Sequence, residues 1–237
     1  MNDLVSSVLH LGGAAVVLLA LPHLLRRLGP GRELRAGALV QTLCVAGLLL
    51  ASGVYHLSAQ LYGEHAPLTV VLVRIDHAGV WLIFAGFFVL PHLLLERGAW
   101  RWLPLALVWA VATLGIASKA LYYVEQSPLQ VVLPHALASV IGLGSTCRFV
   151  YRRGLRESSP LLWFWAAFGA AAACYVFRVP NLVSGWVGPH EVWHVGILLG
   201  IYAHWRFVMG LTAGAEDAFP AQEAGLFRPL GLDVREG

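Results

Sequence analysis

Cysteine, lysine and charged residues in general are scarce in this chain of 237 residues. Cys44, Cys147 and Cys174 are its three cysteines, and each falls inside an apolar run without paired spacing. That pattern argues against a disulfide framework and against a thiolate metal site. Lysine occurs once, at Lys119, and charged residues make up only 12% of the chain, whereas soluble domains carry about 25%. The chain therefore lacks the polar surface that a water-soluble domain needs.

Apolar residues dominate instead, at 58% of the chain with a mean hydropathy of +0.70. A helix needs about 20 apolar residues to cross a bilayer. Segments of about that length lie near residues 4–25, 36–58, 69–95, 101–118, 129–151, 161–179 and 189–210. We therefore predict an all-α polytopic membrane protein, a seven-transmembrane-helix bundle that occupies residues 1–211. The first segment has no basic leader and is predicted to stay in the mature protein. Residues 212–237 have few large apolar side chains and are predicted to form a flexible tail.

Arginine is distributed unevenly among the predicted loops. The first, third and fifth loops contain Arg26, Arg27, Arg32, Arg35, Arg97, Arg101, Arg148, Arg152, Arg153 and Arg156. The opposite face has little beyond Arg74, Lys119 and Arg178. Because basic loops remain on the cytoplasmic side, we predict a cytoplasmic C-terminus and an external N-terminus. These arginines are interpreted as topology signals, and no nucleic-acid partner is predicted.

A small set of polar side chains is predicted to lie at the N-terminal face of the bundle. His56 is near the end of the second span, Asp76 near the start of the third, and His190 and His194 open the last span. Alternation of the spans brings all four residues to one face and to a similar depth. Ser52 lies one helical turn from His56 on the same stripe and points toward the same place.

These side chains match the chemistry of a catalytic zinc site. His190 and His194 stack on one face of a helix, and three neutral imidazoles with one open position are typical of a catalytic Zn²⁺. Asp76 is a candidate proton acceptor or imidazole partner, and Ser52 a candidate donor to a developing oxyanion. Simpler roles stay open for each residue. The imidazoles can bond lipid headgroups, Asp76 can pair with Arg74, and Ser52 can bond a carbonyl of its own helix.

Three segments carry a resemblance to a known family, and the resemblance extends along most of the chain from Leu9–Gly12 to the end of the last span. They are Ser52–His56, Arg74–Gly79 and His190–Val195. In this order they resemble the signature segments of the hemolysin III and progestin/adipoQ receptor family, which belongs to a wider seven-helix group that includes alkaline ceramidases. The resemblance implies a zinc ion held by His56, His190 and His194, with Asp76 and Ser52 close by.

The resemblance also implies a function. Receptor and ceramidase members of the group imply hydrolysis of a lipid amide, and bacterial members are named for haemolysis. We therefore expect a zinc-dependent hydrolase in the bacterial plasma membrane that takes a lipid-like amide or ester from the lipid bilayer, with its metal face outside. A receptor with a structural zinc and a pore-forming protein are the alternatives. His10 is expected either beside the metal ligands or in a helix-packing contact, and the substrate and the oligomeric state stay open.

Overall fold

The computed structural model describes residues 3–122 and 128–213, with side chains for 3–121 and 135–212. The described residues form six helices, each long and apolar enough to cross a membrane. These are α1 (Asp3–Arg27), α2 (Arg32–Tyr62), α3 (Pro67–Leu95), α4 (Ala99–Tyr122), α5 (Pro128–Phe177) and α6 (Pro189–Ala213). The predicted all-α membrane architecture is confirmed. The predicted tail, 212–237, lies almost wholly outside the described residues.

The structure does not separate seven helices, because α5 contains the predicted span 129–151 and most of the predicted span 161–179. The break was expected between residues 151 and 161. Instead, the backbone leaves helical geometry at Gly154, with φ 82° and ψ 165°. Glycine adopts positive φ at little cost because it has no Cβ. The indole Nε1 of Trp165, in the second half of α5, donates a hydrogen bond of 2.8 Å to Thr146 Oγ1 in the first half.

Helices that are adjacent in sequence pack against one another from α1 to α4, and α6 packs on α5, α1 and α3. The centre of the bundle is filled by large apolar side chains, which include Leu48, Leu49, Ile83, Phe87, Phe149, Phe164 and Phe207. Equally large side chains face outward, such as Leu19 at 79% exposure and Leu114 at 70%. Such a surface is compatible with contact to lipid chains, whereas its exposure to water would cost free energy.

α1 and α2 approach closely at the end of the bundle that contains His56, His190 and His194. Ser7 Oγ donates a hydrogen bond of 2.9 Å to the carbonyl of Gly53. A Cβ atom added at Gly53 would lie 2.7 Å from Leu11 Cγ and 3.2 Å from its backbone nitrogen. Small residues permit such contacts between membrane helices. The contact brings the first turns of α1 beside His56.

The opposite end is built around Glu96, which directly follows α3 and is 1% exposed. Arg148 donates two hydrogen bonds to its carboxylate, at 2.8 and 3.0 Å, and Arg152 a third at 3.2 Å. Arg152 also donates to the Leu95 carbonyl, and Arg101 Nε donates to the Glu96 carbonyl at 3.0 Å. These guanidinium groups satisfy the carbonyls that a helix leaves unpaired at its C-terminus. Several of the predicted topology arginines therefore also connect helices.

Candidate metal centre

Three imidazoles converge where α2 meets α6. One ring nitrogen each from His56, His190 and His194 lies within 4.8 Å of the other two. His56 and His194 are buried and His190 is half-buried. The ring centroids are separated by 4.5 Å for His190 and His194, 4.9 Å for His56 and His194, and 5.2 Å for His56 and His190. The residues predicted as metal ligands are thus brought together.

The start of α6 positions two of these imidazoles. Pro189 occupies the first helical position, where its missing N–H costs nothing. The carboxylate of Glu191 accepts a hydrogen bond of 2.8 Å from the backbone N–H of Gly188, the residue that caps this helix. Such a bond fixes the first turn of a helix. His190 therefore sits in an ordered first turn, and His194 lies four residues later on the same face.

Two of the three imidazoles have one ring nitrogen engaged outside the cluster. His56 Nδ1 lies 2.7 Å from Asp3 Oδ1, and His194 Nδ1 lies 2.9 Å from His10 Nε2. This leaves Nε2 of both rings for the centre of the cluster. His56 Nε2 lies 3.4 Å from His190 Nε2, while His194 Nε2 is buried without a hydrogen-bond partner.

A metal ion fits this arrangement on chemical grounds. A buried ring nitrogen without a partner is costly, and coordination satisfies it. Neutral imidazole nitrogens are ligands for zinc and also for copper, iron and nickel. Three protein ligands leave a fourth tetrahedral position open, as in catalytic rather than structural zinc sites.

Asp76 and Ser52 lie beside the histidines, although neither was among the predicted ligands. The polar neighbours of the Asp76 carboxyl are Ser52, His56 and His77. No ion pair joins it to Arg74 in the described part of the chain. Ser52 Oγ is buried beside the Asp76 carboxyl and makes none of the carbonyl bonds considered for it. The simpler roles of both residues are thus not the ones observed.

The sequence interpretation missed Asp3. The sequence predicts Asp76 as a possible imidazole partner. The carboxylate hydrogen-bonded to an imidazole of the cluster is instead that of Asp3. A signal was present, since Asp3, Ser6, Ser7 and His10 recur every three to four residues in an otherwise apolar helix. Such a polar stripe faces the bundle interior.

Four other histidines lie outside the cluster. His10 lies against His194, with ring centroids 4.2 Å apart. His77 Nδ1 bonds the Val73 carbonyl of its own helix at 2.7 Å and stays out of the cluster. His92 and His204 are buried elsewhere, bonded to the carbonyls of Phe88 and Phe87 at 2.9 Å each.

Comparison with protein families gives one result that bears on this site. The model of the family described as haemolysin-III related matches residues 1–205, which include all three clustered histidines, Asp3, His10, Ser52 and Asp76. No individual curated protein matches the chain.

Proposed function

Because the chain belongs to the haemolysin-III related family, we propose that it is a zinc-dependent membrane hydrolase acting on a lipid-like amide or ester. The observation that carries this proposal is the convergence of His56, His190 and His194 with a buried, unpartnered Nε2 on His194. We assign these three side chains as the metal ligands. Zinc bound there would supply Lewis acidity that polarises a substrate carbonyl and activates water.

The chain's own polar residues have separate roles in this proposal. Asp76, with His56 and Ser52 as neighbours, accepts the proton that the attacking water gives up. Asp3, another carboxylate beside the cluster, is already bonded to His56 Nδ1, whereas the Asp76 carboxylate has no arginine partner in the described part of the chain. Ser52 Oγ, which is buried beside Asp76, donates a hydrogen bond to the developing oxyanion. Proton transfer of this kind contributes about 10²- to 10⁴-fold to a rate.

A cavity below the histidines supports a lipid-like substrate. It has a volume of about 390 Å³ and lies between α1, α2, α3 and α6. Its lining is mainly apolar and includes Val17, Leu24, Val45, Phe87 and Ile201. Gly13 and Leu198 also line it, and each is about one helical turn from a site histidine, His10 or His194. Ligand cavities commonly measure about 300–1,000 Å³. An apolar chain held here would extend away from the metal site.

Pore formation is the function that the family's description suggests, and the packing of the bundle argues against it. Below the histidine cluster the axis of the bundle is filled by Leu48, Leu49, Phe87 and Phe164, which belong to one core cluster. A pore through one chain needs polar side chains along its length. The cavity lining between the two ends includes the polar residues Gln41, Thr42 and His204, and His204 is bonded to the Phe87 carbonyl.

We also propose that the two halves of α5 cross the membrane separately, which makes seven spans in total. A straight helix of 50 residues would measure about 75 Å, more than twice the hydrocarbon thickness. In such a helix Thr146 and Trp165 would stand about 28 Å apart, whereas they share a hydrogen bond of 2.8 Å. An odd number of spans, together with the arginine distribution, puts the C-terminus in the cytoplasm and the histidines outside.

Reporter fusions at Gly237 test the orientation. A fluorescent protein fused there is expected to fluoresce, and an alkaline phosphatase fused there is expected to be inactive. The reverse pair of results would mean that the histidine cluster faces the cytoplasm.

The activity is tested by a screen of acyl-amide and acyl-ester lipids with purified protein in detergent. We expect hydrolysis of at least one class, abolished by a chelator and restored by Zn²⁺. Ser58→Ala is a suitable control, because Ser58 is buried in α2 but bonded to Thr69 at 2.8 Å. A zinc-loaded protein that hydrolyses none of the lipids would contradict the assignment as a hydrolase.

A further inference from the structure

Helix α1 contributes no ligand to the histidine cluster, yet it contacts two of the three ligands. Asp3 reaches His56 from the first turn of the helix, and His10 reaches His194 from two turns further along. Both contacts are made to Nδ1, the ring nitrogen that faces away from the cluster. His190 has no hydrogen bond to α1 in the described part of the chain.

From this geometry we propose that Asp3 and His10 are positioning residues that orient His56 and His194 for metal binding. The inference rests on the proposed metal site. An imidazole that binds a metal through Nε2 must have its proton on Nδ1, and an acceptor at Nδ1 selects this tautomer and fixes the ring plane. The Asp3 carboxylate is such an acceptor for His56. The Nε2 atom of His10 is such an acceptor for His194.

The surroundings favour these roles over simple helix packing. His10 is 1% exposed and Asp3 has 14% of its side chain exposed, so neither contact is a mobile surface pair. Packing of α1 against α2 has its own contacts nearby, the hydrogen bond from Ser7 to Gly53 and the close approach of Leu11. Docking of the helix therefore has contacts of its own besides those of Asp3 and His10.

His190 is the ligand that this arrangement leaves least constrained. It is half-buried and sits in the first turn of α6, where its ring contacts Tyr175 at a centroid distance of 5.7 Å. Without an acceptor from α1, its orientation depends on the helix start and on contacts with neighbouring rings. Loss of Asp3 should therefore leave His56 without an acceptor at Nδ1, and loss of His10 should do the same to His194.

The test measures the zinc dissociation constant of full-length protein by competition with a chromogenic chelator. Loss of such a partner weakens metal binding about 10- to 100-fold, and we expect a change of this size for Asp3→Ala and for His10→Leu. His10→Gln should remain close to wild type, because its side-chain carbonyl can accept the proton of His194 Nδ1. Asp3→Asn should fall between wild type and Asp3→Ala.

Ser7→Ala is the matched control, since it removes a contact between α1 and α2 but touches no ligand. Its zinc affinity should stay within about twofold of wild type. The visible spectrum of the Co²⁺-substituted proteins gives a second readout, because a reoriented imidazole changes the ligand field. If Asp3→Ala does not fold, the zinc affinities of Asp3→Asn, His10→Leu and His10→Gln test the inference.

Two results would overturn the inference. One is an unchanged zinc affinity in both Asp3→Ala and His10→Leu. The other is an equal loss in Ser7→Ala or in His10→Gln, which would assign the effect to helix packing or to side-chain bulk. A wild-type protein that binds no zinc would overturn the proposed metal site itself, and so the two failures are distinguishable.

Discussion

The main buried polar groups at the two ends of the bundle differ in their hydrogen bonding. At the arginine end, the carboxylate of Glu96 receives hydrogen bonds from Arg148 and Arg152, so its charge is compensated. At the histidine end, three imidazoles face one another, and His194 Nε2 is buried without a hydrogen-bond partner. Complete hydrogen bonding is typical of a structural contact. An incomplete set of buried polar atoms indicates a place that takes a ligand.

The largest effect on stability is therefore expected at the arginine end. Glu96→Ala removes the carboxylate between Arg148 and Arg152 and leaves their charges uncompensated. We expect the free energy of unfolding to fall by about 2–3 kcal/mol, because hydrogen bonds to a charged group are lost while the side chains of Arg148 and Arg152 stay 31% and 42% exposed. Thermal unfolding in detergent measures this loss, and zinc per folded chain should not change. A stable Glu96→Ala protein that has lost its zinc would remove the distinction between the two ends.

The histidine end should show the reverse behaviour, with a large effect on rate and a small effect on stability. Asp76→Asn keeps the shape of the side chain and removes its basic oxygen. Hydrolysis of the lipid found in the screen should fall by about 10²-fold or more, while zinc content stays near wild type. Full activity would exclude Asp76 as the proton acceptor. Loss of zinc together with activity would instead make it a support of the ligands.

Ser52→Ala should have a smaller effect at the same end. Water can replace one hydroxyl donor, so the rate should fall by about tenfold, which corresponds to the loss of a single hydrogen bond. Ser58→Ala is the matched control, because Ser58 is buried in the same helix and bonded to Thr69 at 2.8 Å, away from the cluster. Turnover and zinc content are measured for both proteins. An equal loss of turnover in the control would assign the effect to α2 packing.

The smallest effect is expected for an exposed pair at the arginine end. Arg153 and Glu157 lie 3.6 Å apart with side chains 40% and 61% exposed. Because exposed pairs of this spacing contribute about 0.3–0.5 kcal/mol, Glu157→Gln should change the unfolding free energy by no more than that. A loss comparable to that of Glu96→Ala would show that burial of Glu96 is not what makes its contacts strong.

Much of the histidine end could be predicted from the sequence, because its signals are local. The four-residue spacing of His190 and His194 fixes their common face, and alternation of the spans brings His56 to the same end. Asp3 could not be paired with His56 in this way. Their contact joins positions 53 residues apart and depends on how closely α1 approaches α2 at Gly53.

The number of helices was harder to predict for a different reason. The polar residues and the proline at 156–160 are typical of a loop, but residues 156–160 are helical in the structure. The change in direction occurs at Gly154, a single residue whose positive φ lets the chain fold back on itself. Composition locates a boundary only to within a few residues, whereas one glycine determines where the backbone turns.

The central claim is that His56, His190 and His194 together bind one metal ion, and zinc content per chain tests it most directly. Purified wild-type protein should contain about one zinc per chain. His56→Ala, His190→Ala and His194→Ala should each lose most of it, while His77→Ala should keep it. Stoichiometric zinc in all three ligand variants, or an equal loss in His77→Ala, would contradict the account.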